Sequence, residues 1–124
     1  MNALGTQILL ELKQCNRELL NDLPLIRKTL LQAAREVGAT VIGQSFHQFS
    51  PQGVTGVVAI AESHICIHTW PEYGYAAVDI FTCGEGFKPQ TAVDLIVRSL
   101  GCQEHSVTEI RRGLLSDLAS VTAR

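Results

Sequence analysis

Between residues 62 and 84 the chain reads ESHICIHTWPEYGYAAVDIFTCG, a stretch that gathers a Glu-Ser dipeptide, two histidines, two cysteines and a Trp-Pro-Glu turn. A serine hydroxyl that attacks the carbonyl just before it turns that amide into an ester. Elimination and hydrolysis then cut the chain and leave a pyruvoyl group in place of the serine, a ketone able to act as an electron sink. Glu62-Ser63 has the residue types for this self-cleavage. The step needs Ser63 Oγ near the Glu62 carbonyl, a donor facing the tetrahedral oxyanion, and a base to take the α-proton of residue 63.

Spacing limits which neighbours can serve. His64, Cys66 and His68 alternate, so an extended strand presents all three on one face. Zinc sites normally take a further ligand and draw their ligands from different elements, so no metal is expected there. Ser63 and His68 are separated by five strand steps, which puts their Cα atoms roughly 16 Å apart and their side chains on opposite faces. His68 then cannot reach the serine of its own chain. Either the strand is broken between them, or His68 is supplied by a second copy across a two-fold interface.

This stretch resembles the small bacterial and archaeal S-adenosylmethionine decarboxylase proenzymes, and the similarity extends to both sides of it. LGTQ at 4–7, Cys15, GAT at 38–40, FHQFSPQGVTGVV at 46–58 and EIRRG at 109–113 fall in that family's order and spacing, so that residues 4–113 are covered. The resemblance implies that Ser63 becomes a pyruvoyl cofactor by cleavage between Glu62 and Ser63. It also implies that His68 is the processing base and that Cys83 protonates the substrate carbon after carbon dioxide leaves. Thr55 stands where the family usually has serine; its hydroxyl could support the ester or the oxyanion, and it is equally an ordinary β-branched strand residue. For S-adenosylmethionine as substrate, Phe49 and Trp70 offer π-faces to the adenine and the sulfonium, and Glu72 a carboxylate to the ribose hydroxyls and the cation. Trp70 equally suits a core or an interface, and Glu72 a solvated turn. By the same resemblance Phe49, Thr55, His68 and Glu72 of one subunit face Ser63 and Cys83 of the other in a homodimer. Cys66 is expected to be packing.

The implied activity is decarboxylation of S-adenosylmethionine through a Schiff base on residue 63, supplying aminopropyl groups for spermidine and other polyamines. The alternatives are a pyruvoyl decarboxylase of ornithine or arginine and, from another class, an uncleaved regulatory or metal-binding paralogue. One residue departs from the pattern. Small bacterial members commonly carry G-x-H near the start, whereas this chain has Gly5-Thr6-Gln7, and a glutamine cannot transfer a proton.

The elements that must hold these residues follow from periodicity. Strands are expected at 7–12, 40–49, 54–61, 63–70, 75–82 and 106–110, with turns at Pro51-Gln-Gly53 and Pro71-Glu-Tyr-Gly74. Asp22 as N-cap, Pro24 in the first turn and apolar residues at helical spacing up to Val37 mark one helix, stopped by Gly38. Pro89 opens a second, with Ala92, Val93, Ile96 and Leu100 on its apolar face and Gly101 as its stop. The expected fold is α+β: a two-layer sandwich of an antiparallel sheet with two helices on one face, dimerising around the active sites through the other. At 124 residues the chain is read as one domain, with product chains 1–62 and 63–124. Ten basic against twelve acidic residues, a net charge of −2, disfavour a nucleic-acid surface. The first residues show neither a basic n-region nor a long apolar run, so no signal peptide, no membrane span and a cytoplasmic setting are expected. In that setting Cys15, Cys66, Cys83 and Cys102 are read as thiols.

Overall fold

Along the central strands every second residue is buried, and these mostly apolar side chains turn toward two amphipathic helices. The structure, a computed structural model, describes residues 2–83, 87 and 89–118; Gly84 of the Cys-Gly pair and the 119–124 tail lie outside the described residues. Strands β1 (Ala3–Lys13), β2 (Val41–Gln48), β3 (Val54–Ile60), β4 (Ser63–Trp70), β5 (Tyr75–Cys83) and β6 (Glu104–Leu114) form one sheet in the order β2-β3-β4-β5-β1-β6. Every pairing is antiparallel.

Helices α2 (Leu23–Glu36) and α3 (Pro89–Ser99) cover one face of this sheet. Asp22 caps α2, accepting from the Leu25 N–H at 3.1 Å, and Gly38 at φ 83° takes the left-handed conformation that ends it. Ile26 and Leu30 of α2 and Ile96 of α3 are completely buried against Ile65 and Ile67 of β4 and Val78 and Ile80 of β5 within one apolar cluster. Each such side chain contributes about 1.5–3 kcal/mol relative to exposure. The alternate residues of β3, β4 and β5 face the other way, and among the described residues no helix covers them. The expected α+β two-layer architecture is the one observed.

Strand limits differ from the periodicity. The β1–β6 ladder runs from Ala3↔Leu114 to Lys13↔Glu104, well past the apolar segments that signalled those strands. Main-chain hydrogen bonds continue where burial does not, and β6 is exposed along its whole length, so its sequence carries little alternation. Three short elements gave no periodic signal: α1 (Arg17–Leu20), capped by Asn16, a 3₁₀ turn (Pro71–Tyr73) and α4 (Leu115–Leu118). Four residues or fewer cannot show a helical period.

Candidate active site

The β3–β4 hairpin fixes the first half of the site. Ile60 pairs with Ser63, leaving a two-residue loop of Ala61 and Glu62. Glu62 lies at φ 67°, in the left-handed region. A residue with a Cβ is held there at a cost of about 1–2 kcal/mol. That strain falls on the residue whose carbonyl forms the Glu62-Ser63 amide. Ser63 Oγ accepts a hydrogen bond from the Cys83 N–H at 3.1 Å, so the end of β5 brings Cys83 beside the serine.

Cys83 pairs across β1 with Gly5. A Cβ on Gly5 would stand 2.6 Å from the Phe81 ring, so the tight corner holds glycine. Gln7, opposite Phe81, accepts from Arg112 Nη1 at 3.0 Å, and the Arg112 guanidinium lies 5.7 Å over the Phe81 ring. Gln7 therefore acts as an acceptor in a packed polar cluster.

The second half lies at the other end of β4. That strand keeps continuous register with β3 and β5 from one end to the other, so it is not broken between Ser63 and His68. His68 projects from the open face directly opposite Thr55, whose Oγ1 is 3.1 Å from His68 Nδ1. Phe49, Thr55, His68, Trp70 and Glu72 together line a hollow of about 290 Å³, with Gln52, Gly53 and Thr69. Phe49 is 48% and Trp70 41% exposed, so Trp70 is not a core residue of the chain. Exposed aromatic rings around a hollow are the usual dress of a ligand site.

The five sequence-selected residues of the hollow thus come together, as do Ser63 and Cys83, but the two groups stand at opposite ends of β4. Two further residues shape the hollow without having been singled out. Asn21 Oδ1 accepts from the Gly53 N–H at 2.9 Å and from Gln48 Nε2 at 3.1 Å, pinning both ends of the loop that carries Phe49. Thr69 Oγ1 donates to the Leu20 carbonyl at 2.7 Å and accepts from the Val54 N–H at 2.9 Å. The only sequence signal for Asn21 was its place beside a helix cap, and Thr69 reads as a plain strand residue.

Two open-face groups have shifted acidity. Burial, and then the Asp79 carboxylate opposite, push the Cys66 thiol up, which keeps it protonated and unreactive. Tyr75 donates its hydroxyl to Glu11 and stacks at 5.5 Å from Trp70; burial first, then that hydrogen bond and the nearby carboxylates, push it up to about 12. Among the described residues no three His, Cys, Asp or Glu side chains converge to hold a metal ion.

By class, this is a two-layer α+β protein of the adenosylmethionine decarboxylase fold. The crystal structure of the adenosylmethionine decarboxylase from Aquifex aeolicus matches it with a TM-score of 0.85 at 37% identity, over 92% of this chain and 94% of that one. The Trypanosoma brucei AdoMetDC-delta26 monomer, 16% identical, shares the fold with a TM-score of 0.62 over 82% of this chain and 44% of its own. A model of the S-adenosylmethionine decarboxylase family matches residues 6–113, and the chain belongs to that family. Relatives named S-adenosylmethionine decarboxylase proenzyme include one from Thermodesulfovibrio yellowstonii, 53% identical over 94% of this chain and 86% of the relative. Another, from Caldicellulosiruptor saccharolyticus, is 50% identical over 98% of both chains. Among the described residues no helix is long and apolar enough to cross a membrane.

Proposed function

We propose that this chain is a self-processing, pyruvoyl-dependent decarboxylase that converts S-adenosylmethionine to S-adenosylmethioninamine and carbon dioxide, supplying cytoplasmic spermidine synthesis. The observation that carries the reading is the left-handed Glu62 joined directly to Ser63, because strain at the bond to be cut is released by cutting it. The names of the relatives support both the substrate and a precursor form. Cleavage would give chains 1–62 and 63–124. Strand β1 of the first lies between β5 and β6 of the second, so the products remain interleaved.

In processing, Ser63 Oγ attacks the Glu62 carbonyl carbon, the C–N bond breaks and the freed amine takes up the hydroxyl proton. His68 of a second copy then removes the α-proton of residue 63 as the new α-carboxylate of Glu62 leaves, and water hydrolyses the resulting dehydroalanine to the pyruvoyl ketone with loss of ammonia. Thr55 holds the imidazole through their 3.1 Å contact. The continuous β4 is the reason a second copy is required. The two halves complete each other in a homodimer in which His68 on the open face of one copy meets the β3–β4 turn of the other.

The corner fits a keto group at residue 63, because Cys83, whose N–H reaches residue 63 at 3.1 Å, stands beside the carbon that would carry it. The keto group supplies amine condensation and an electron sink. Everything else falls to side chains. Phe49 and Trp70 hold the purine and face the sulfonium, Glu72 takes the ribose hydroxyls, and the Cys83 thiol gives its proton to the carbon that carbon dioxide has left. A hollow walled by two exposed rings suits a purine better than the side chains of ornithine or arginine.

Denaturing intact-mass spectrometry of the purified protein tests the reading. Two chains split at 62/63, the second starting with a pyruvoyl mass, are expected, together with carbon dioxide release from S-adenosylmethionine. A single unprocessed chain that releases none would turn the reading toward an uncleaved binding protein.

A further inference from the structure

Cys15 and Cys102 meet just past the end of β1. Their sulfurs are 2.7 Å apart, across 87 residues of sequence, and no other thiol pair forms among the described residues. The backbone on both sides is already pinned. Cys15 N–H donates to the Gly74 carbonyl at 3.0 Å, Asn16 N–H to Leu100 at 3.1 Å, Gln103 N–H to Gln14 at 3.3 Å, and Cys102 N–H to Val97 at 3.1 Å. With the backbone held on both sides, the sulfurs already stand within about 0.7 Å of the disulfide bond length of ~2.05 Å.

The two thiols differ in a way that suits stepwise oxidation. Cys15 is 7% exposed, and Cys102 is half-buried. The contact between the two thiols lowers the pKa of Cys15 and raises that of Cys102. Cys15 carries the thiolate character and Cys102 the proton.

We propose that Cys15 and Cys102 form a redox-responsive dithiol, which a hydroperoxide converts to a disulfide tying the end of β1 to the loop after α3. The Cys15 thiolate attacks one peroxide oxygen, the O–O bond breaks, and the departing oxygen takes a proton to leave as an alcohol or as water. The Cys102 thiol then attacks the Cys15 sulfenic acid, the S–O bond breaks, and water leaves with the thiol proton. The two thiols lose two electrons and two protons; the hydroperoxide is reduced by the same two electrons.

One consequence rests on the proposed cleavage. Cys15 lies before the Glu62-Ser63 bond and Cys102 after it, so in the processed protein the disulfide is a covalent tether between the two chains. It also locks the frame of the substrate hollow. Gly74, whose carbonyl is bound by Cys15 N–H, closes the Pro71–Tyr73 turn that carries Glu72, and Trp70 precedes that turn.

The test treats the purified full protein with hydrogen peroxide, alkylates the remaining thiols, and compares denaturing intact masses before and after reduction. Without reductant, one species is expected, equal to both product chains less two hydrogens plus the alkyl groups on Cys66 and Cys83, and its digest yields a Cys15–Cys102 linked peptide. With reductant the chains separate. Cys102→Ser, at a half-buried position, should abolish the link and leave the chains separable without reductant. Full alkylation of both thiols after peroxide, oxidation of Cys102 to sulfinic acid without a link, or a link that survives Cys102→Ser would each overturn the proposal. A reduced sample containing one uncut chain would count against processing alone, since the linked peptide from that chain still decides the dithiol.

Discussion

At Glu62 the backbone matters more than the side chain. A glycine there would relieve about 1–2 kcal/mol, and if that strain is lost on the way to the transition state the change corresponds to roughly tenfold in rate. Glu62→Gly should therefore stabilise the uncut protein and slow its cleavage about tenfold, measured as uncut chain remaining against time after refolding. An unchanged rate would mean the strain persists in the transition state. Tyr75 offers a pH signature. Its folded-state pKa of about 12 lies above the ordinary 10.0, so as pH rises the unfolded chain loses the phenol proton first. The stabilisation is whole below pH 10 and disappears through pH 12. Unfolding midpoints should fall more steeply in that window for the parent than for Tyr75→Phe. In Tyr73→Phe, which leaves Tyr75 as the sole tyrosine, phenolate absorbance should rise near pH 12.

Among the elements, the loop between β2 and β3 is held from outside the sheet. Asn21 supplies the acceptor for Gly53 N–H and Gln48 Nε2, so Asn21→Ala frees the Phe49 loop without touching Ser63 or Cys83. The expected result is a several-fold rise in KM with kcat little changed, the pattern of lost ground-state positioning. A fall in kcat at constant KM would contradict this role. The long helices were legible because Asp22, Pro24 and Gly38 punctuate a clear apolar period. Helix α1 was not, although it carries the frame on which Asn21 sits, because four residues show no period and it is packed against the 3₁₀ turn and α2.

For the whole molecule, the proposed processing by His68 calls for a partner, because Ser63 and His68 are kept apart along an unbroken β4. Ser63→Ala lacks the attacking hydroxyl and His68→Ala lacks the base, so each alone should stay uncut. Co-expressed and allowed to form mixed dimers, they should yield cleavage of the His68→Ala chain only, since its Ser63 meets the intact His68 of the other variant. Chain-specific mass spectrometry checks this. Cleavage of His68→Ala by itself, or none in the mixture, would remove the shared-site arrangement.

The six strands in outline, the two long helices, the Glu62-Ser63 junction and the odd spacing that keeps Ser63 and His68 apart were legible in the sequence, since these depend on local periodicity and on residue chemistry a few positions away. That Thr55 faces His68 on the neighbouring strand, that Asn21 anchors a loop 32 residues on, and that Cys15 touches Cys102 came from the fold. Strand register and long-range packing bring those partners together, and neither leaves a mark in the residues next to them. The left-handed turn at Glu62 belongs with them: it arises from closing β3 onto β4 in two residues, a constraint imposed by the sheet on a residue whose type does not announce it.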